Sequence, residues 1–316
     1  MKDSFYFFFY LSTFIFLLPM RRSLLFAFLL LLFSCTRKET IYEIKHENVV
    51  IDQNEPPPFE GVTTLQLQSY VNKLYIDLIG REPLPDELDD ATDQLRNAEV
   101  AEDAMNDLAL ALQQSDEYYQ RFYEIYSGRL LEGVTLSTIQ EQLLVLDFFY
   151  QDALQNGDIL TAQLLAAEID KLQDLYDAQA DYRSGLIDIR EFMSRLVYNS
   201  LYDEINMGSE NFVLSCFENF FKRYPTVAER QAGVTMVDGF PAQLLLADGN
   251  SKTDFIDILT NDPEFLQGLA IDIFRQLLAR QPDSQEMGEA VLLLSEDADY
   301  QALQRQVTAT AEYAGF

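Results

Sequence analysis

The 316-residue chain has no tryptophan, one histidine and two cysteines, and its 22 lysines and arginines face 52 aspartates and glutamates. Each shortage excludes a class of chemistry. One histidine, His46, cannot build a Ser-His-Asp triad, a multi-histidine zinc site or a bis-histidine haem. A formal net charge of −30 without a basic run excludes direct nucleic-acid binding, which needs cations to displace counterions from phosphates. Glycine (13) and proline (10) are few for the length, so a fold of many short strands and tight turns is not expected. Cys35 and Cys216 lie in unlike surroundings. Cys216, within V-L-S-C-F-E-N-F-F-K, reads as a buried structural thiol without a disulfide partner.

What is present begins at the N-terminus. Residues 20–35 read M-R-R-S-L-L-F-A-F-L-L-L-L-F-S-C: two arginines, an apolar run and a small residue before a cysteine, which is the layout of a secretory signal. A single membrane-spanning helix over residues 4–34 would instead put Arg21 and Arg22 at its midplane, at a cost of several kcal/mol. The closing Leu32-Phe33-Ser34-Cys35 resembles the lipobox of bacterial lipoproteins. That resemblance implies acylation of Cys35, cleavage before it and stable anchoring by more than one chain. Met20 is the expected start, and Thr36 after the cysteine favours the outer membrane by the same resemblance. Residues 1–34 are thus read as a signal region. Residues 35–62 are read as a lipidated tether, stiffened by Pro56, Pro57 and Pro58.

Beyond the tether one pattern recurs three times: an amphipathic helix closed by Arg-x-Pro-x-x-x-Glu. The corners are Arg81, Pro83 and Glu87; Arg223, Pro225 and Glu229; and Arg280, Pro282 and Glu286. Proline forces its predecessor out of the α region and stops the helix. The arginine is expected in the last turn, facing the negative end of the helix dipole. Thr226 and Asp283 stand three residues before their glutamates, the spacing of a capping box, whereas Leu84 cannot cap and Pro85 takes the first helical position. A second signature follows each corner: S-D-E-Y from Ser115, D-P-E-F from Asp262 and T-A-E-Y from Thr310, with those three residues as helix caps. The expected fold is all-α, with about three copies of a roughly 50-residue three-helix unit.

Residues 134–207 interrupt this series. Heptad-like apolar spacing on both sides of Asn156-Gly157-Asp158 predicts an antiparallel helical hairpin inserted between repeat one (63–133) and repeats two and three (208–316). This hairpin is the first candidate for a partner-binding surface; a hairpin folded back onto the body is the competing reading.

The stretch Y-I-D-L-I-G-R-E-P-L-P-D-E with S-D-E-Y-Y downstream resembles a helical module of bacterial extracytoplasmic proteins, roughly YLDLLGRxPTPEE … LxSxEY. The module accompanies cytochrome-type domains in planctomycete surface proteins and recurs in secreted adhesin-like proteins. The resemblance implies fold and compartment but no activity, and without C-x-x-C-H no haem function follows.

Carboxylates cluster at Asp86, Glu87, Asp89 and Asp90 and elsewhere, as solvated helix faces do. The segment A-D-G-N-S-K-T-D, with Asp248, Asn250 and Asp254, hints at a calcium loop, but Leu259 stands where an EF-hand needs a bidentate glutamate. No catalytic, metal or cofactor site is expected. The reading is a non-catalytic lipoprotein of the outer membrane, lipid-anchored on its periplasmic or outer face, with protein partners in the envelope. The alternatives are a surface ligand- or glycan-binding lipoprotein and, behind it, a carboxylate- or metal-dependent hydrolase.

Overall fold

In a computed structural model, residues 61–316 are described, except the side chains of Glu296 and Asp297. The signal region, Cys35, His46 and the tether through residue 60 lie outside them. Fifteen helices and one two-stranded sheet make up the described part, an all-α fold. None of these helices is long and apolar enough to cross a membrane.

The first four helices are α1 (Thr64–Ile79), α2 (Pro85–Asn97), α3 (Glu102–Gln113) and α4 (Asp116–Leu130). Helix α1 shows why such segments are helical. Thr63 caps it through a reciprocal box with Gln66, and its Leu67, Tyr70, Val71, Leu74 and Leu78 repeat at helical spacing into the core. Two long helices follow, α5 (Leu136–Gln155) and α6 (Ile159–Ser184), joined at Asn156-Gly157-Asp158. They form the hairpin that the heptad spacing predicts. Then come α7 (Ile189–Val197), α8 (Ser200–Ile205), α9 (Ser209–Phe221) and α10 (Val227–Val237). The antiparallel pair β1 (Ala242–Leu244) and β2 (Ala247–Gly249) precedes α11 (Lys252–Asn261), α12 (Pro263–Leu278), α13 (Ser284–Asp297), α14 (Tyr300–Thr308) and α15 (Ala311–Ala314).

One buried core runs through all of these except the distal hairpin. Two aromatic groups knit it. Phe122 and Tyr126 of α4 meet Tyr182 of α6, Phe192 of α7 and Tyr300 of α14, with ring centroids 4.9–6.3 Å apart. Phe212 and Phe217 of α9 meet Phe255 of α11, and Phe220 stands edge-on to Phe265 of α12 at 5.5 Å. Offset and edge-to-face rings at such distances add to the area they bury. Helices α9 and α12 cross so closely that a Cβ on Gly268 would lie 1.8 Å from the carbonyl oxygen of Phe220.

The β-pair was not expected from the sequence. Its turn, Leu245-Leu246, has both residues at positive φ (50° and 68°), where hairpins ordinarily use Asn-Gly.

Candidate interaction surface

The residues singled out by the repeated pattern form three corners with the same bonding. At the first, Arg81 donates through Nη1 and Nη2 to the two oxygens of Glu87 (2.7 and 2.9 Å), through Nε and Nη2 to Glu117 (2.7 and 3.0 Å), and to the carbonyl of Glu82. Arg223 repeats the arrangement with Glu229, Glu264 and the carbonyl of Tyr224. Arg280 repeats it with Glu286, Glu312 and the carbonyl of Gln281. In each corner the first glutamate also accepts the backbone N–H three residues before it, at Leu84, Thr226 and Asp283 (2.7 Å each). These doubly bidentate forks hold the carboxyls of Glu87, Glu229 and Glu286 down at about 2, the arginine hydrogen bonds being the main cause.

Two features of the corners differ from the sequence-based expectation. The arginine is not in the last helical turn. Each helix ends one residue before it, at a left-handed residue: Gly80 (φ 80°), Lys222 (φ 58°) and Ala279 (φ 54°). The left-handed residue turns the chain out of the helix before Pro83, Pro225 or Pro282 is reached, so the guanidinium serves the next two helix starts rather than the dipole behind it. Second, the acid of the downstream signature is the arginine's other partner. Ser115, Asp262 and Thr310 cap α4, α12 and α15, accepting the N–H groups of Tyr118, Glu264 and Tyr313. The acids Glu117, Glu264 and Glu312 then reach back over 36, 41 and 32 residues. Helix α12 starts at the second corner and ends at the third, so those two units share a helix.

Asp254 accepts the N–H of Asn250 (2.8 Å) and that of Ser251 lies within its reach, while Asp248 of β2 accepts the side-chain amide of Gln243 across the β-pair. Among the described residues no three of His, Cys, Asp and Glu gather as a metal site. Cys216 is fully buried, 3.9 Å from the Tyr202 hydroxyl, and burial pushes its thiol up to about 12, so it stays protonated. Asp86, Asp89 and Asp90 face solvent. Tyr70, Tyr118, Tyr126, Tyr202, Tyr300 and Tyr313 are almost entirely buried and present no ring outward.

The hairpin differs from the rest. Its seam is filled by Ile139, Leu143, Leu146 and Ala153 of α5 against Ala162, Leu165, Ile169 and Leu172 of α6, all buried or half-buried. Its root is fixed. Tyr182 enters the aromatic core, and Arg195 of α7 donates to the Asp181 carboxylate and the Asp174 carbonyl of α6. Beyond Leu146 the seam holds only the two helices to each other, and Ala153 and Ala162 lie outside the main core. Ten residues separate Leu146 from Asn156, a reach of about 15 Å at helical rise.

From Leu144 to Leu164 the outer positions are apolar as well. Leu144, Val145, Phe148, Phe149, Leu154, Ile159, Leu160 and Leu164 are each at least 42% exposed. Between Arg129 and Lys171 the chain carries seven acids and no lysine or arginine. Scattered exposed leucines are ordinary, but large apolar side chains concentrated on one projecting element mark a contact surface.

No protein-family model matches the chain, and neither does a curated protein or a solved structure.

Proposed function

We propose that the chain is a non-catalytic lipoprotein of the bacterial outer membrane, acylated at Cys35 and held off the leaflet by its Pro-rich tether. In this reading it acts as an adaptor or accessory subunit that grips a protein partner with the tip of the α5–α6 hairpin. The observation that carries it is the second apolar face of the hairpin, left over once the seam is filled. A standard interface buries about 800 Å² on each side, and eight large apolar side chains supply most of that.

The charge pattern selects the partner. An amphipathic element that lies on lipid places lysine and arginine beside its apolar face to meet anionic headgroups. The tip has acids there instead, which an anionic leaflet repels. The occupant is therefore a protein groove with an apolar floor and a basic rim.

The test is purification of the full chain from solubilised membranes of its native host, beside the variant Phe148→Asp/Leu160→Asp. Both positions are exposed and outside the core, so the melting temperature stays unchanged. The wild type retains a partner that the variant releases, and recombining the purified pair reproduces the difference. A variant that keeps the complex sinks the docking role. Loss of binding to lipid vesicles in place of a protein makes the tip a membrane wedge. Mass spectrometry of the N-terminal peptide checks the anchor, and an intact, unacylated residue 35 overturns it.

A further inference from the structure

A second feature lies in the body, away from the hairpin tip. A cleft of about 500 Å³ opens where α4, α9 and α12 meet, lined among others by Arg121, Arg129, Lys222, Arg275, Asp272 and Glu218. In a chain with 22 cations and a net charge of −30, four cations against two acids in one cleft is a local reversal of sign.

The cations are not consumed by structure. Asp272, 7% exposed, accepts from both Arg129 (2.6 Å) and Lys222 (2.7 Å), so one carboxylate serves two positive groups. Lys222 is itself 8% exposed and its second contact is the Asn219 carbonyl at 2.5 Å. Among the described residues Arg121 and Arg275 have no acid within ion-pair distance. Arg275 is exposed, and Arg121 is half-buried with its Nε packed against Gly80 without a hydrogen-bond partner. Guanidinium groups with unspent donors at a cleft wall are open to an anion.

The backbone points the same way. Position 222 is the left-handed residue that ends α9 before the second corner, and the equivalent positions hold Gly80 and Ala279. Only here does a long charged side chain occupy the strained site, and it is turned into the cleft. Glycine is replaced at two of the three places, at φ 58° and 54°, but only Lys222 brings a charge with it. Burial, with smaller effects from the charges of Arg129 and Arg275, lowers the Lys222 ammonium despite its bond to Asp272.

We propose that this cleft binds the phosphoryl group of a small phosphate ester, with the guanidinium groups of Arg121 and Arg275 as its forks and Lys222 as a point charge beneath. Planar arginine forks match phosphate oxygens in pairs. The volume lies within the range of small-molecule sites, leaving room for the organic part. Two sources carry this chemistry, a soluble phosphomonoester and a phosphatidic acid headgroup.

Calorimetric titration of the full chain in neutral detergent separates them, with glycerol 3-phosphate in one arm and detergent-dispersed phosphatidic acid in the other. Binding in the first arm assigns a soluble ester, and binding in the second alone assigns the headgroup. In either case Arg121→Gln/Arg275→Gln weakens binding by at least about tenfold, since each lost fork removes charge-assisted hydrogen bonds. Circular dichroism of that variant stays unchanged, because neither side chain holds a structural bond. Arg230→Gln, which touches only surface Glu210, leaves binding as it was. The proposal is overturned if neither ligand binds, if the double variant binds like the wild type, or if Arg230→Gln weakens binding equally.

Discussion

A corner arginine does two jobs at once: it braces the first turn of the next helix and draws in the first turn of a later one. How much each corner stabilises depends on how far water is excluded from it. Glu229 is 16% exposed, against 32% for Glu87 and 29% for Glu286. Arg223 also sits against two rings, Phe217 and Phe221 at 5.3 and 5.5 Å, whereas Arg81 and Arg280 each meet one. Arg223→Gln is therefore expected to cost about 1–2 kcal/mol, or roughly 3–6 °C in melting temperature for a domain of this size. Arg280→Gln, at a more open corner, costs less; equal losses at both corners in a thermal melt would show that burial does not set their strength. The left-handed residues give a change of opposite sign. Ala279 is exposed with φ 54°, so Ala279→Gly relieves backbone strain and raises stability by about 0.5–1 kcal/mol. A denaturation midpoint that falls in that variant would refute the strain. At this scale the sequence was readable wherever partners are near in the chain, as with Thr226 and Glu229. It hid the Arg–Glu pairs that span more than thirty residues, although the aromatic six positions before each arginine (Tyr75, Phe217 and Phe274) was a visible sign that the arginine is seated rather than solvated.

Helices become a fold where they cross, and the closest crossing fixes the relation between the second and third corners. Gly268 of α12 admits the backbone of α9 at Phe220 and Phe221. A methyl group there meets a carbonyl oxygen that cannot swing away, so Gly268→Ala must push the two helices apart. The expected loss is about 3 kcal/mol or more, since overpacking against backbone has no rotamer to relax into. An unchanged urea midpoint would mean that the helices slide at little cost. Nothing in the sequence around Gly268 distinguishes it from a glycine that merely weakens a helix, because the reason lies in a partner 48 positions away. The β-turn was hidden for another reason: Leu245 and Leu246 are poor residues for left-handed positions, and Leu246 is 93% exposed as well. By contrast the α5–α6 hairpin could be read directly, because one seam of apolar residues and one turn specify it. Its outward leucines and phenylalanines blend with the seam in the sequence, and only the paired helices separate the two faces.

Over the whole molecule the three corners make stability respond to acid in a particular direction. Glu87, Glu229 and Glu286 are held at about 2 in the folded chain, against an ordinary value of 4.5. A carboxyl lowered by folding contributes stability that is fully present above its ordinary value and is lost as pH falls towards the lowered one. Two effects oppose this loss. Burial raises Asp77 and Asp257, so protonation of those groups favours the folded state, and titration of a chain at −30 relieves self-repulsion. The melting curve of the wild type alone therefore mixes three contributions. The triple variant Arg81→Gln/Arg223→Gln/Arg280→Gln isolates one, because it frees these glutamates with their counterparts Glu117, Glu264 and Glu312 and leaves Asp77, Asp257 and nearly all of the net charge in place. The wild type should melt several degrees above the variant near neutral pH, and the gap should close between about pH 4.5 and pH 2 as the paired carboxyls take up protons. A gap of constant width across that window would mean that the arginines stabilise by packing on their aromatic rings rather than through their charges. The corners would then be hydrophobic joints that happen to carry ions.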